Sequence, residues 1–187
     1  MPQQSIITSF SESEETALET VGGNISFFSH LHVRDTQGNY VMASVSQILT
    51  EATRAVDFRY PAGTVFESLE VSEEFFRAKL AGRERETFAV AFLNNQHQLI
   101  AYEELFIGSI ASTEIHPREV VRAALRLNAA AVILSHNHPS FSTEPSRADV
   151  QITVRLKKAL ELIAVRVIDH IVVAGNDAVS MAERGLI

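Results

Sequence analysis

The sequence predicts an α/β fold, an α+β sandwich in which buried strands alternate with helices. Two continuous apolar runs, Phe88–Leu93 (FAVAFL) and Ala129–Leu134 (AAAVIL), read as strands covered on both faces. Helical spacing and helix-start residues occupy the stretches before and after them. With 187 residues, 46% hydrophobic and 21% charged, the chain can bury a real core and suits one ordinary domain with an extension.

Residues 1 to about 23 read as a polar, acidic lead, weakly structured or helical, that ends at Gly22-Gly23. It does not resemble the basic-then-apolar pattern of a secretion signal. Ile25–Val33 is rich in β formers, Asp35–Asn39 is a turn cluster, and Tyr40–Ala43 returns as a second strand, so a small hairpin is expected. Val45, Ile48, Leu49, Ala52 and Val56 then follow helical spacing until Tyr60-Pro61-Ala62-Gly63 breaks the chain. The domain boundary is expected there. Residues 1–64 form an extension, a partner-docking module or a lid, and 65–187 form the main domain.

In the main domain, Ser72-Glu73-Glu74 is expected to open a helix through Leu80, with Ser72 as its cap and Gly82 ending it. FAVAFL is followed by a turn at Asn94-Asn95-Gln96, a partner strand over Leu99–Phe106 and a third edge over Gly108–Ile115. Pro117 suits the first position of a helix that runs to Leu127. After AAAVIL, a helix is expected from near Ser146 to about Ala164, then a last long strand over Val165–Val173. Gly175-Asn176-Asp177 turns into the C-terminal tail.

Several classes are disfavoured. The absence of cysteine rules out disulfides and thiolate metal sites and is compatible with a cytoplasmic location. No apolar run reaches the roughly 18 residues of a membrane span. The net charge is −7, and the densest basic stretch, Arg83–Arg85, is interrupted by Glu84 and followed by Glu86. Direct nucleic-acid binding is therefore not expected, since such proteins carry a basic stripe.

The stretch Ser135–Asp149, SHNHPSFSTEPSRAD, concentrates the chemistry. His136 and His138 at the end of a strand point to one side, because side chains alternate there. Asp149 lies eleven residues beyond His138, with Pro139 and Pro145 in a loop that can bring its carboxylate back. Two imidazoles and a carboxylate form a common ligand set for a catalytic zinc, the fourth position being left for water. The plainer alternative is three satisfied polar residues in a loop. Ser146, three residues before Asp149, fits a helix N-cap, and the first helical turn favours the anionic form of Asp149. Asn137 and Pro139 read as shaping the loop. His30 and His32 form a second His-x-His, but no acidic residue at ligand spacing follows, so both are read as residues on one face of a hairpin strand. His116, Asp169 and His170 are read as hydrogen-bonding residues rather than ligands, with Asp169 expected to orient something near the site.

The pattern His136-Asn137-His138-Pro139 followed by Ser146-x-x-Asp149 resembles the JAMM motif of the MPN/JAB metalloprotease domain. HNHPS with EPSRAD is similar, more narrowly, to the RadC branch, once named for DNA repair. The resemblance continues through GRERETFAVAFLNNQHQLIAYEELFIGSI, HPREVVRAALRLNAAAVILSHNHPS, VIDHIVVAG and AERGLI, from about Gly82 to Ile187. It implies an MPN/JAB, cytidine deaminase-like fold: a central mixed β-sheet flanked by helices, here with a small N-terminal extension. It also implies one Zn2+ per chain on His136, His138 and Asp149, and a metal-activated water that cleaves an amide, peptide or isopeptide bond in a protein or peptide substrate. Glu86 occupies the place of the family's general base, with Glu104 on the partner strand as the other candidate. Ser146 occupies the place of the residue that stabilises the oxyanion. One departure is Phe141, where this branch often has Gly; a Gly there permits a left-handed turn. The competing readings are a DNA-repair-associated protein acting through a protein partner, a metal-dependent nuclease, and a catalytically silent MPN scaffold.

Overall fold

The computed structural model describes residues 31–80, 82–108 and 115–187. The chain divides into two compact units between Arg54 and Ala55.

In the first unit, strand β1 (His32–Arg34) pairs antiparallel with β2 (Tyr40–Met42), giving the expected hairpin. Its turn is closed by Asp35, whose Oδ1 accepts from the backbone N–H groups of Gln37 and Asn39, each at 2.9 Å. His30 and the acidic lead lie outside the described residues. Helix α1 (Val45–Arg59), within which the division between the units falls, starts from a reciprocal cap. The Gln47 N–H donates to Ser44 Oγ at 3.2 Å, and the Ser44 N–H donates to Gln47 Oε1 at 2.9 Å.

The second unit is built on a mixed sheet of β3 (Thr87–Leu93), β4 (Leu99–Ile107), β5 (Ala131–Asn137), β6 (Arg166–Ala174) and β7 (Asp177–Ser180). Their order is β4-β3-β5-β6-β7. Only β5 and β6 run parallel, and α4 (Arg147–Glu161) connects them; the other neighbours are antiparallel. β3 and β5 are buried along their whole length, as their continuous apolar runs predict.

Helices cover both faces. Against one lies α2 (Leu69–Leu80), where Phe75, Phe76 and Leu80 pack over Ala89, Ala91, Ala131 and Ile133. Alanine on the sheet leaves room for this aromatic layer, in which Phe75 meets Tyr60, Phe66, Phe76 and Tyr102 edge-on at centroid distances of 5.1–5.5 Å. Against the other face lie α3 (Pro117–Arg126) and α4, packed on Phe88, Val90, Phe92, Val132 and Leu134. Pro117 stands at the start of α3 as expected.

Two details differ from the expectations, and a third lies mostly outside the described residues. Helix α2 begins at Leu69, three residues before the expected start, because Ser68 supplies the cap by accepting from the Val71 N–H at 3.3 Å. Ser72 is instead buried in the helix, and its hydroxyl donates to the Ser68 carbonyl at 3.2 Å. The segment after Val173 is no simple tail: Gly175-Asn176 is a tight hairpin turn into β7. The expected edge over Gly108–Ile115 falls mostly on residues 109–114, outside the described residues, and neither Gly108 nor Ile115 belongs to a strand.

The register of β6 carries one consequential irregularity. Val132 pairs with Val167, but the next residue, Ile133, pairs with Asp169, so Ile168 is an extra residue in the strand. Ile168 and Ile171 both pack on the α2 side, while Val167 packs on the α3/α4 side. A bulge of this kind reverses the alternation beyond it. It turns His170 to the face that carries Leu134 and His136.

Candidate metal centre

His136 is the sixth residue of β5 and faces the same side as Val132 and Leu134. His138 follows just beyond the strand, and its backbone still pairs with β6, its N–H donating to the Val173 carbonyl at 2.7 Å. The extended backbone therefore returns the second imidazole to the side of the first, with Nε2 atoms 3.0 Å apart. Asp149 comes from the first turn of α4. There Ser146 and Asp149 form a capping box: the Asp149 N–H donates to Ser146 Oγ at 3.2 Å, and the Ser146 N–H donates to Asp149 Oδ2 at 2.6 Å. Helix start and carboxylate placement are one device. Asp149 Oδ1 lies 3.4 Å from His136 Nε2, and Oδ2 lies 3.5 Å from His138 Nε2. Potential ligand atoms of the three residues all lie within 4.8 Å of one another, a group suited to hold a metal ion.

The electrostatics match. The side chains of His136, His138 and Asp149 are 2%, 15% and 13% exposed, so the cluster is largely dry but open on the His138 side. Burial opposes ionisation of Asp149, but the two imidazoles and the cap hold its carboxyl well below the usual carboxylate range. Asp149 in turn raises His138 above the ordinary imidazole value, against the opposing effect of burial. His138 Nδ1 is 2.7 Å from the Ser142 carbonyl, which can only accept, so Nδ1 carries a proton and Nε2 is the atom turned to the cluster. Acceptor atoms packed this closely are stable with a positive charge among them, a proton or a metal ion.

Glu86 is half-buried and precedes β3 by one residue; Phe88, two residues on, pairs with His136. The Glu86 charge contributes to the rise at His138. Asn137 fixes this neighbourhood. It points away from the two histidines, accepts the Thr87 N–H at 2.9 Å and donates to the carbonyls of Arg83 and Arg85 at 3.3 and 3.2 Å. It thus ties the segment that carries Glu86 to the strand end that carries His138. Glu104 does not join the cluster. It pairs with Ala89 on the α2 side of the sheet, where it accepts from Arg83 at 2.6 Å and from the Tyr102 hydroxyl at 3.2 Å.

Phe141 adopts the left-handed conformation, φ 60°, that Gly would take there. Its N–H donates to the His138 carbonyl at 3.0 Å. The ring lies over Gly175, where a β-carbon would come within 2.8 Å of Phe141 Cδ1. The turn is therefore kept without its Gly.

Two further residues stand beside the cluster: His170, read from the sequence as a hydrogen-bonding residue rather than a ligand, and Thr153, which the sequence did not single out. His170 is fully buried, with Nε2 2.8 Å from His136 Nδ1, and its Nδ1 lies 2.6 Å from Thr153 Oγ1. Asp169, expected to be the orienting residue, serves the sheet edge instead. It accepts from the His170 N–H at 2.6 Å, from Ser180 Oγ at 2.6 Å and from the Ala182 N–H at 3.0 Å, which anchors the end of β7. The β6 bulge is the reason. His116 stands at the start of α3 with its ring edge-on to Phe106.

A mixed sheet that delivers His-x-His at a strand end, completed by an aspartate at the start of the next helix, defines a JAB-type domain with a group suited to hold a metal ion. The chain belongs to the RadC-like JAB domain family, whose model matches residues 66–186. It is 52% identical over 139 residues to a UPF0758 protein of Vibrio cholerae, which covers 74% of this chain and 87% of the relative. With the UPF0758 protein YfjY of Escherichia coli it shares 55% identity over 125 residues, covering 67% of this chain and 78% of the relative. It spans 65% of a UPF0758 protein of Methylibium petroleiphilum, 78% of this chain matching at 49% identity. None of these names states an activity.

Proposed function

We propose that the chain is a JAMM-type zinc-dependent hydrolase that uses water to cleave an amide, peptide or isopeptide bond in a protein or peptide. The observation that carries this reading is the convergence of His136 Nε2, His138 Nε2 and the Asp149 carboxylate in one largely buried cluster. Two imidazoles and one carboxylate match a catalytic zinc, with one tetrahedral position left over, and the chain has no cysteine with which to close a structural site. When bound, zinc would supply Lewis acidity and bring the pKa of a water ligand to about 7.

The chain's own residues supply the rest. Glu86, near enough for its charge to act on His138, takes the proton of the attacking water and passes it to the leaving nitrogen. Ser146 Oγ receives the Asp149 N–H on a lone pair, so its own proton is available to the oxyanion that develops on the substrate carbonyl. Capping and catalysis therefore use different parts of one hydroxyl. The net charge of −7 argues for a protein or peptide substrate over a polyanion.

The test is a Glu86→Gln variant assayed beside wild type on a panel of peptide and isopeptide substrates. Zinc content is expected to be unchanged while turnover falls by about 10²–10⁴-fold, the usual contribution of a general base. Unchanged turnover would remove Glu86 from the mechanism, and loss of zinc would make it a ligand.

A further inference from the structure

The buried contacts behind His136 impose a proton order. Thr153 is 0% exposed, and its Oγ1 lies 2.5 Å from the Asp149 carbonyl, an atom that can only accept. The single hydroxyl proton is therefore committed to that carbonyl. What remains on Oγ1 is acceptor capacity, so the 2.6 Å contact with His170 Nδ1 requires a proton on that nitrogen. His170 is also 0% exposed, with the edge of Phe88 against its ring at 5.6 Å. The nearby Asp169 carboxylate is taken up by the His170 backbone N–H, Ser180 and Ala182, so it does not serve as a counter-ion to the ring. In the neutral imidazole with its proton on Nδ1, Nε2 is a bare acceptor. The 2.8 Å contact between that atom and His136 Nδ1 then requires the proton to sit on His136 Nδ1.

We infer that Thr153 and His170 form a positioning relay that fixes His136 as the Nδ1–H tautomer, so that its Nε2 lone pair is directed into the cluster with His138 and Asp149. His170 and Thr153 touch neither water nor substrate in this role; they set which nitrogen of His136 can ligate. A histidine ligand whose other nitrogen is held by a hydrogen bond is both oriented and made more basic. The usual holder is a carboxylate or a backbone carbonyl; here a neutral imidazole does it, itself ordered by a threonine one turn past Asp149. The same hydroxyl that orders His170 bonds the Asp149 carbonyl, so one residue links the supports of two ligands. The relay's use rests on the zinc-site reading, but its proton order does not.

The test is two-bond proton–nitrogen correlation spectroscopy on metal-free, full-length protein labelled with 15N in histidine, at about pH 8, above the ordinary imidazole range. Wild type is expected to show His136 and His170 both protonated on Nδ1. In Thr153→Val, His170 loses its acceptor and is expected to move its proton to Nε2, which drives His136 to the Nε2–H form. Zinc affinity is expected to weaken by about 10–100-fold in Thr153→Val, with both properties restored in Thr153→Ser. An Nε2–H tautomer at His136 in wild type would overturn the relay, as would a folded Thr153→Val protein with unchanged tautomers and zinc affinity. If Thr153→Val does not fold, the wild-type tautomers decide alone. Zinc that binds no version of the protein would sink the hydrolase reading, and the wild-type tautomers would still uphold or overturn the relay.

Discussion

Asn137 stands between two histidines that face the cluster and turns the other way, and its hydrogen bonds make it the hinge pin between Glu86 and His138. In Asn137→Ala the buried Thr87 N–H and two carbonyls lose their partner, which should cost about 2–3 kcal/mol in denaturant unfolding. Zinc content should survive while turnover falls, because the ligands remain and the base is freed to move. Equal stability of variant and wild type would contradict this role. His136, His138 and Asp149 were readable from spacing alone, since alternation at a strand end and a capped first helical turn are local rules. His170 was not. Alternation carried forward from Val165 and Val167 points Asp169 at the site, and no residue in Ile168-Asp169 announces the bulge that replaces it with His170. At Phe141 the sequence raised the right question, but the left-handed turn persists at a cost of about 1–2 kcal/mol.

At the scale of elements, β3 and β5 were legible because strands buried on both faces read as unbroken apolar runs. The start of α2 was misplaced because Ser68 and Ser72 both satisfy the N-cap rule, and packing of Leu69 and Val71 against the aromatic layer selects the earlier one. β7 went unread although a signal existed: Gly-Asn between two strand-like runs is a two-residue hairpin turn. The end of α4 offers a test of helix termination. Ala164 sits just past the helix at φ 58°, exposed, while the Val165 N–H returns to the Leu160 carbonyl at 3.0 Å. This is a left-handed C-terminal cap in which the β-carbon is a penalty. Ala164→Gly should therefore raise stability by about 1 kcal/mol, read as a higher denaturant midpoint with unchanged slope. A lower midpoint would show that the left-handed residue is not strained.

For the whole molecule, the sheet separates two tasks. Its α2 side holds the aromatic layer, with the Arg83–Glu104 pair at its margin, and its α3/α4 side ends in the cluster of His136, His138 and Asp149. That separation takes Glu104 out of reach of the site, a consequence of strand pairing that residue order alone does not reveal. The family match begins at residue 66, and contacts divide the chain after Arg54. Among the described residues no helix is long and apolar enough to cross a membrane. The account depends most directly on the cluster being a metal site, so the decisive measurement is elemental analysis of purified wild type beside His138→Ala and Asp149→Ala. One zinc per chain in wild type, lost in both variants while they stay folded, is the predicted result. Folded wild-type protein that takes up no metal after added zinc, or variants that keep it, would contradict the account.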